Sequence, residues 1–170
     1  MALVVEDGSI VPGANAYVDL ASVRAYALAR GIVLPVDDDE CSVLVIKATD
    51  YLESKRCLYQ GWRVTSLQDL SWPRSNIFIY GEDFPPNAIP SLLVNAQMAL
   101  TVIANSGVDL LPLIDSSRFV TKEKVGPIAT EYSDPAKYDL VGPIFTAVDA
   151  MLKPLFLHGC YPNSLTTIRV

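Results

Sequence analysis

Apolar positions recur at helical spacing in four stretches of the chain. Asp19 stands where an N-cap belongs, with Leu20, Val23 and Ala27 on one face behind it. Gly31 follows where a left-handed C-terminal cap fits, so the spacing predicts a short helix of about three turns. The acidic triplet Asp37, Asp38 and Asp39 then precedes Cys41, Leu44, Val45, Ala48 and Leu52. These fall at i, i+3, i+4, i+7 and i+11, one apolar face led by acids that complement a helix dipole. Lys55 and Arg56 suit its end. A third helix is predicted from Pro90 to just before Gly107. Its main stripe is Ile89, Leu92, Leu93, Ala96, Leu100 and Ile103, and a second stripe is Val94, Met98 and Val102. A helix apolar on two sides is expected to be buried on two sides. Pro143 opens a short last helix with Ile144, Val148, Met151 and Leu152, which Pro154 ends.

The intervening segments lack a helical face. Residues 57–89 form an irregular insertion that holds both tryptophans and the β-prone run Ile77-Phe78-Ile79-Tyr80. Residues 118–133 form an extended element, a bent strand or a pair of edge strands, interrupted at Gly126-Pro127. The expected organisation is an N-terminal arm, residues 1–18, a helical domain over 19–154 and a C-terminal tail over 155–170. The expected fold class is mainly α. It is a small bundle of three longer helices and a short C-terminal one, with a minor extended element and an arm at each end.

Composition narrows the function. The chain has 170 residues with 51% hydrophobic, 19% charged and a net charge of −6. So apolar a chain is not disordered, and so acidic a chain is not a broadly basic nucleic-acid binder. The uncharged stretch 84–108 contains Pro85, Pro86, Asn87, Pro90, Asn95, Gln97 and Asn105, so it reads as loop and buried helix rather than a membrane span. The N-terminus has no basic region ahead of Glu6 and Asp7 and does not read as a secretory signal. Cys41, Cys57 and Cys160 form no CxxC pair and read as free, buried thiols in a reducing cell.

Candidate chemistry is sparse. His158 and Cys160 lie in a Gly- and Pro-containing tail, without the rigid neighbours a thiol nucleophile or a metal requires. Phosphate-cradle, HExxH, GxSxG and EF-hand patterns are absent. The expectation is no enzyme, no metal and no cofactor. The acids Asp37, Asp39 and Glu40 read as a helix start rather than a cation site. The aromatic segment 59–84 is the nucleic-acid candidate, with Tyr59, Trp62, Trp72, Phe78, Tyr80 and Phe84 among Arg63 and Arg74. Single-stranded binders combine stacking faces with basic grooves. Between Lys55 and Phe84, however, four bases face three acids, which supplies little phosphate neutralisation. The simpler reading packs both tryptophans onto the helices.

Several short pieces in order resemble a phage family. They are Ala14-Asn15-Ala16-Tyr17-Val18, Ala48-Thr49-Asp50-Tyr51-Leu52, Gly61-Trp62-Arg63, the run Gln68, Leu70, Ser71 and Trp72-Pro73-Arg74, Ile89-Pro90, Ala96-Gln97, and Glu123-Lys124-Val125-Gly126-Pro127-Ile128. This series resembles the head–tail adaptor (connector) proteins of tailed bacteriophages, some of which are labelled DnaT-like single-stranded-DNA-binding proteins. The most specific part is Gln68-x-Leu70-x-Trp72-Pro73-Arg74; Asn15, Tyr17 and Gly126 are the other motif positions expected to be structural. The resemblance implies a ring, commonly of twelve subunits, beneath the portal in the virion neck. Such a ring extends the DNA channel, docks a downstream neck or tail protein and lets genomic DNA pass without specific binding. It also implies portal docking by the tail, here Leu165, Ile168, Arg169 and Val170. A chain of this kind is made in the host cytoplasm and has no membrane partner. The second stripes, Val43 with Ile46 and Val94 with Met98 and Val102, are the candidate subunit-interface residues, the other possibility being a fuller intramolecular core. Strand binding by segment 59–84 is the alternative function.

Overall fold

The computed structural model describes residues 2–113, 122–125, 128–131 and 143–157. The helices fall where the apolar spacing puts them. Helix α1 is Leu20–Leu28, and Asp19 caps it by accepting from Ser22 N–H. Gly31 follows with φ +69°, the left-handed conformation its missing Cβ permits. Helix α2 is Asp38–Ser54, capped by the Asp37 carboxylate, which accepts from the Asp39 and Glu40 amides. Helix α3 is Ser91–Asn105, entered from Pro90. Helix α4 is Thr146–Leu152, continued by a 3₁₀ turn at Lys153–Leu155.

The expected mainly α bundle of three longer helices is not what forms. Only α2, with 17 residues, and α3, with 15, are long; α1 has 9 and α4 has 7. Three two-stranded antiparallel sheets accompany them among the described residues. In the insertion, β1 (Trp62–Arg63) pairs with β2 (Arg74–Ser75), and β3 (Ile77–Ile79) pairs with β4 (Glu82–Phe84). Further on, β5 (Lys122–Val125) pairs with β6 (Ile128–Glu131). The physical reason is backbone satisfaction. A segment of 30 or so residues lying over a core cannot leave its amides and carbonyls unpaired, and short ladders satisfy them without a helical sequence. The mixed α and β character lay in local pairings too short to show a period.

Residues 2–18 are not a free arm. Ala14, Ala16, Tyr17 and Val18 are buried in the body of the protein. Glu6, also buried, accepts from the Gly8, Ile10 and Val11 amides and so folds this segment on itself. The C-terminal positions Leu165, Ile168, Arg169 and Val170, like His158 and Cys160, lie outside the described residues, as does Gly126.

Two hydrophobic clusters share helix α3. One gathers Tyr51, Leu52, Tyr59, Trp72, Leu93, Leu100, Leu152 and Leu155. The other gathers Val23, Ala27, Cys41, Val45 and Met98, with Val94 and Val102 packed against it. The two stripes of α3 therefore serve two cores within one chain. Between them lies Gln97, fully buried. Its oxygen accepts from Tyr17 N–H at 2.9 Å, and its amide donates to Thr49 Oγ1 at 2.7 Å and to the Val45 carbonyl at 3.3 Å. A buried amide costs little only when its groups are satisfied, and this one ties α3, α2 and the N-terminal segment together.

Tyr51 is one of two exceptions to that satisfaction among the described residues, the other being the Trp72 indole N–H. Tyr51 is buried edge-on to Phe145 at 5.4 Å, and its hydroxyl has no partner among the described residues. Burial, with a smaller contribution from the nearby Asp149 charge, pushes its pKa up to about 12. The folded state therefore holds the Tyr51 proton more tightly than the unfolded chain does, and that stability is present below pH 10 and lost as pH rises toward 12. Tyr51→Phe is expected to keep or raise stability at neutral pH, because it deletes an unpaired buried hydroxyl, and to flatten the alkaline loss. Denaturant titrations at neutral pH and at pH 11 check both parts; equal alkaline loss in the variant contradicts the second.

Candidate nucleic-acid interface

The structure separates the two tryptophans that the sequence placed together. Trp72 is fully buried, at 5.6 Å edge-on from Tyr59. Trp62 is 62% exposed at the start of β1. The expectation that both pack onto the helices is correct for Trp72 and wrong for Trp62. Phe78 and Tyr80 are also exposed, while Tyr59 is buried. Segment 59–84 is thus half core and half surface. Alternation along a strand does not predict this division, because β1 has only two residues and both are exposed.

The motif residues turn inward and build the support. Gln68 accepts from Thr65 N–H and donates to the Leu70 and Pro73 carbonyls at 2.9 and 3.0 Å. This amide closes the loop that carries Trp72 and Pro73 beneath the surface. Glu53, in the last turn of α2, accepts from Tyr17 Oη at 2.5 Å, from Ser71 Oγ at 2.5 Å and from Ser71 N–H. Tyr17 Oη in turn accepts from Trp72 N–H at 3.2 Å. Burial, then the Glu53 charge, raises the Tyr17 hydroxyl pKa well above its ordinary value, which keeps it a donor. Asn15 accepts from Val4 N–H and donates to the Ala2 carbonyl, fixing the N-terminal segment that delivers Tyr17.

Arg74 is the residue that links support and surface. Its side chain is buried, 7% exposed, and donates to three carbonyls: Gln60 at 2.7 Å, Gly61 at 2.8 Å and Ser71 at 3.4 Å. It lies 5.9 Å over the Tyr59 ring rather than on an indole. Desolvation draws its pKa below the usual guanidinium value. Gly61, gripped by Arg74, has φ +59°, and a Cβ there would stand 1.9 Å from the Ser75 carbonyl oxygen. Only glycine lets the chain pass so close before Trp62.

Above this support runs an open groove of about 530 Å³, lined by Arg56, Trp62, Arg63, Arg74, Glu53 and Asp69 among others. Three arginines face two acids. Both acids are engaged, Glu53 as above and Asp69 by Gly13 N–H at 2.7 Å. A second groove, of about 520 Å³ beside Lys47, Asp50 and Asp109, has one cation against two acids and no aromatic side chain. Only the first combines a free indole face with surplus positive charge. No group of three or more His, Cys, Asp or Glu side chains able to hold a metal occurs among the described residues. No helix there is long and apolar enough to cross a membrane.

The interface candidates divide as well. Met98 is buried in the second cluster, and Val94 and Val102 are partly buried against it. Ile46 is half-buried and Val43 is 44% exposed. Cys57 is exposed, against the expectation of a buried thiol, whereas Cys41 is buried. No sequence signal marks Trp62 as exposed; the glycine before it answers the close approach of the Ser75 carbonyl, where a Cβ would not fit.

A family described as "Putative DnaT-like ssDNA binding protein" matches this chain over residues 1–170. No curated protein and no solved structure matches it.

The two tryptophans are expected to respond oppositely to truncation. Trp72→Ala removes a fully buried indole and is expected to cost about 3–5 kcal/mol of stability. Trp62→Ala, at the surface, is expected to change stability by less than about 0.5 kcal/mol. Denaturant unfolding of both variants checks this; a large loss for Trp62→Ala would place its indole in the core.

Proposed function

This chain belongs to the DnaT-like ssDNA-binding protein family, and from that premise we propose that it holds a single nucleic-acid strand in the groove beside Trp62. The observation that carries the reading is the exposed Trp62 indole next to the arginines Arg56, Arg63 and Arg74. A base stacks on an indole face whatever its identity, and guanidinium groups follow the backbone phosphates. The net charge of −6 limits the contact to a short stretch, because phosphates are repelled elsewhere on so acidic a chain. Two or three neutralised phosphates give a shallow salt dependence, with a slope of roughly −2 in log–log form for a single strand.

A second reading is favoured by a different observation. Leu28, Val33 and Val36 are 75%, 79% and 86% exposed at the α1 end of the molecule. Together with the motif series, these uncovered side chains support a structural adaptor in a tailed-phage neck. In that reading the chain forms a homo-oligomeric ring of about twelve subunits, beneath a portal and above a downstream neck or tail protein. Genomic DNA passes through it, and the tail over 155–170 reaches the portal. Rings need heterologous faces, and an apolar patch on one end of a subunit suits one. The chain then acts without catalysis, metal or cofactor, and it resides in the virion after synthesis in the host cytoplasm.

Titration of the full chain with a thymidine oligonucleotide at several salt concentrations tests the first reading. Trp62→Ala is expected to weaken binding by about 1–3 kcal/mol, the worth of one stacked base. Binding should also quench tryptophan emission in the wild type far more than in the variant. Undetectable binding at low salt, or equal affinity for the variant, would refute it. Cryo-electron microscopy of virions tests the second: the chain is expected as a ring between portal and tail, and its absence there ends that reading.

A further inference from the structure

We infer that Arg63 and Arg74 form a seat for a single phosphate group in the wall of the groove, which rests on the strand-binding reading and specifies which part of the strand is gripped. The register of β1 and β2 sets Arg63 directly opposite Arg74. Directly opposed residues on antiparallel strands project to the same face with Cβ atoms about 4.5–5.5 Å apart, and like charges so placed are destabilising. The Glu53 carboxylate in the same groove offsets part of that repulsion at Arg74, but the three arginines of the groove still outnumber its two acids. Neither arginine takes part in an ion pair among the described residues, where Arg24 with Asp38 does. The two acids of the groove already accept hydrogen bonds, Glu53 from Tyr17 and Ser71, and Asp69 from Gly13.

The second observation is how Arg74 is held. It is more than nine-tenths buried, and all of its acceptors are neutral carbonyls. A guanidinium has five N–H donors; three serve Gln60, Gly61 and Ser71, which leaves one on each terminal nitrogen. A buried cation with no direct ion-pair partner is costly, and fixing it in place beside a second cation adds to the cost. The arrangement becomes favourable when a group with several anionic oxygens occupies the groove. Phosphate fits the planar guanidinium donors in a way that a single carbonyl does not. Through its bond to the Gly61 carbonyl, Arg74 also fixes the backbone immediately before Trp62, so phosphate and base contacts share one rigid support.

Arg74→Ala would strip three carbonyls of their donor and is a poor test of binding. Arg63 is exposed, and its replacement leaves the support intact. The full chain, as wild type, Arg63→Gln, Arg63→Lys and Trp62→Ala, is titrated with a normal oligonucleotide, with an abasic oligonucleotide of the same length and with inorganic phosphate. For Arg63→Gln, abasic binding is expected to weaken roughly tenfold, as for loss of one charge-assisted contact, and the salt slope to fall by about 0.7. Arg63→Lys should recover part of both. Equal abasic affinity and slope for wild type and Arg63→Gln would overturn the seat. If the normal strand then still depends on Trp62, the groove reading survives without it. If neither oligonucleotide binds the wild type, but phosphate raises the melting temperature of wild type and not of Arg63→Gln, the seat stands and the nucleic-acid reading falls. If phosphate has no effect either, both fall.

Discussion

The Glu53 carboxylate is the point on which three separated parts of the chain converge. It closes α2, receives the Tyr17 hydroxyl from the N-terminal segment and receives both the hydroxyl and the amide of Ser71 from the insertion. Hydrogen bonds to a charged group contribute about 1.5–3 kcal/mol each, against about 1 for a neutral pair. Distributed over three segments, they do what a continuous sheet would do in a larger protein. Tyr17 extends the network by one step to Trp72 N–H, so the largest buried side chain is positioned through the same carboxylate. Glu53 thus adds charge-assisted bonds to the neutral ones that tie the insertion to the body, such as Gln60 Nε2 to the Pro154 carbonyl and Tyr59 Oη to the Leu52 carbonyl.

The surface of the groove follows from that internal network. Ser71, Trp72 and Pro73 are drawn inward by Glu53 and Gln68, and Arg74 comes next in the chain. Its side chain bonds the carbonyls of Gln60, Gly61 and Ser71, and so ties the start of β1 to β2. Trp62 then faces outward because the Gly61 backbone already lies against Ser75. The Gln-x-Leu-x-Trp-Pro-Arg motif is therefore architecture for most of its length. Its final residue reaches from the core to the groove, which Leu70 and Ser71 also line.

The apolar surplus of the chain has a corresponding explanation. Two cores divided by one helix require that helix to be apolar on two sides, and Val94, Met98 and Val102 meet this need within the molecule. Gln97 is the polar residue at the divide, and it is tolerated at full burial because the Tyr17 amide, the Thr49 hydroxyl and the Val45 carbonyl satisfy it. Other large apolar side chains stay exposed among the described residues, including Leu28, Val33 and Val36 near α1, Trp62, Leu67 and Tyr80 on the insertion, and Leu113 and Ile144.

Helix positions were legible in the sequence because their causes are local. Asp19, Asp37 and Pro90 act on the turn that follows them, and apolar spacing at 3.6 residues needs no distant partner. The absence of familiar catalytic and phosphate-cradle motifs was legible for the same reason. The ladders of the insertion were not, since strands of two and three residues have no readable period and exist only through their partners. Nor was the fate of the tryptophans: Trp62 and Trp72 have the same chemistry, and only contacts across the fold decide that one fills a core and the other meets solvent. The opposition of Arg63 to Arg74 likewise arises from a register set between residues eleven positions apart. The sequence by itself determined the helices, because a helix closes its hydrogen bonds within a turn. The groove took its form only in the folded chain, because Glu53, Asp69 and Arg74 are each held there by partners more than ten positions away.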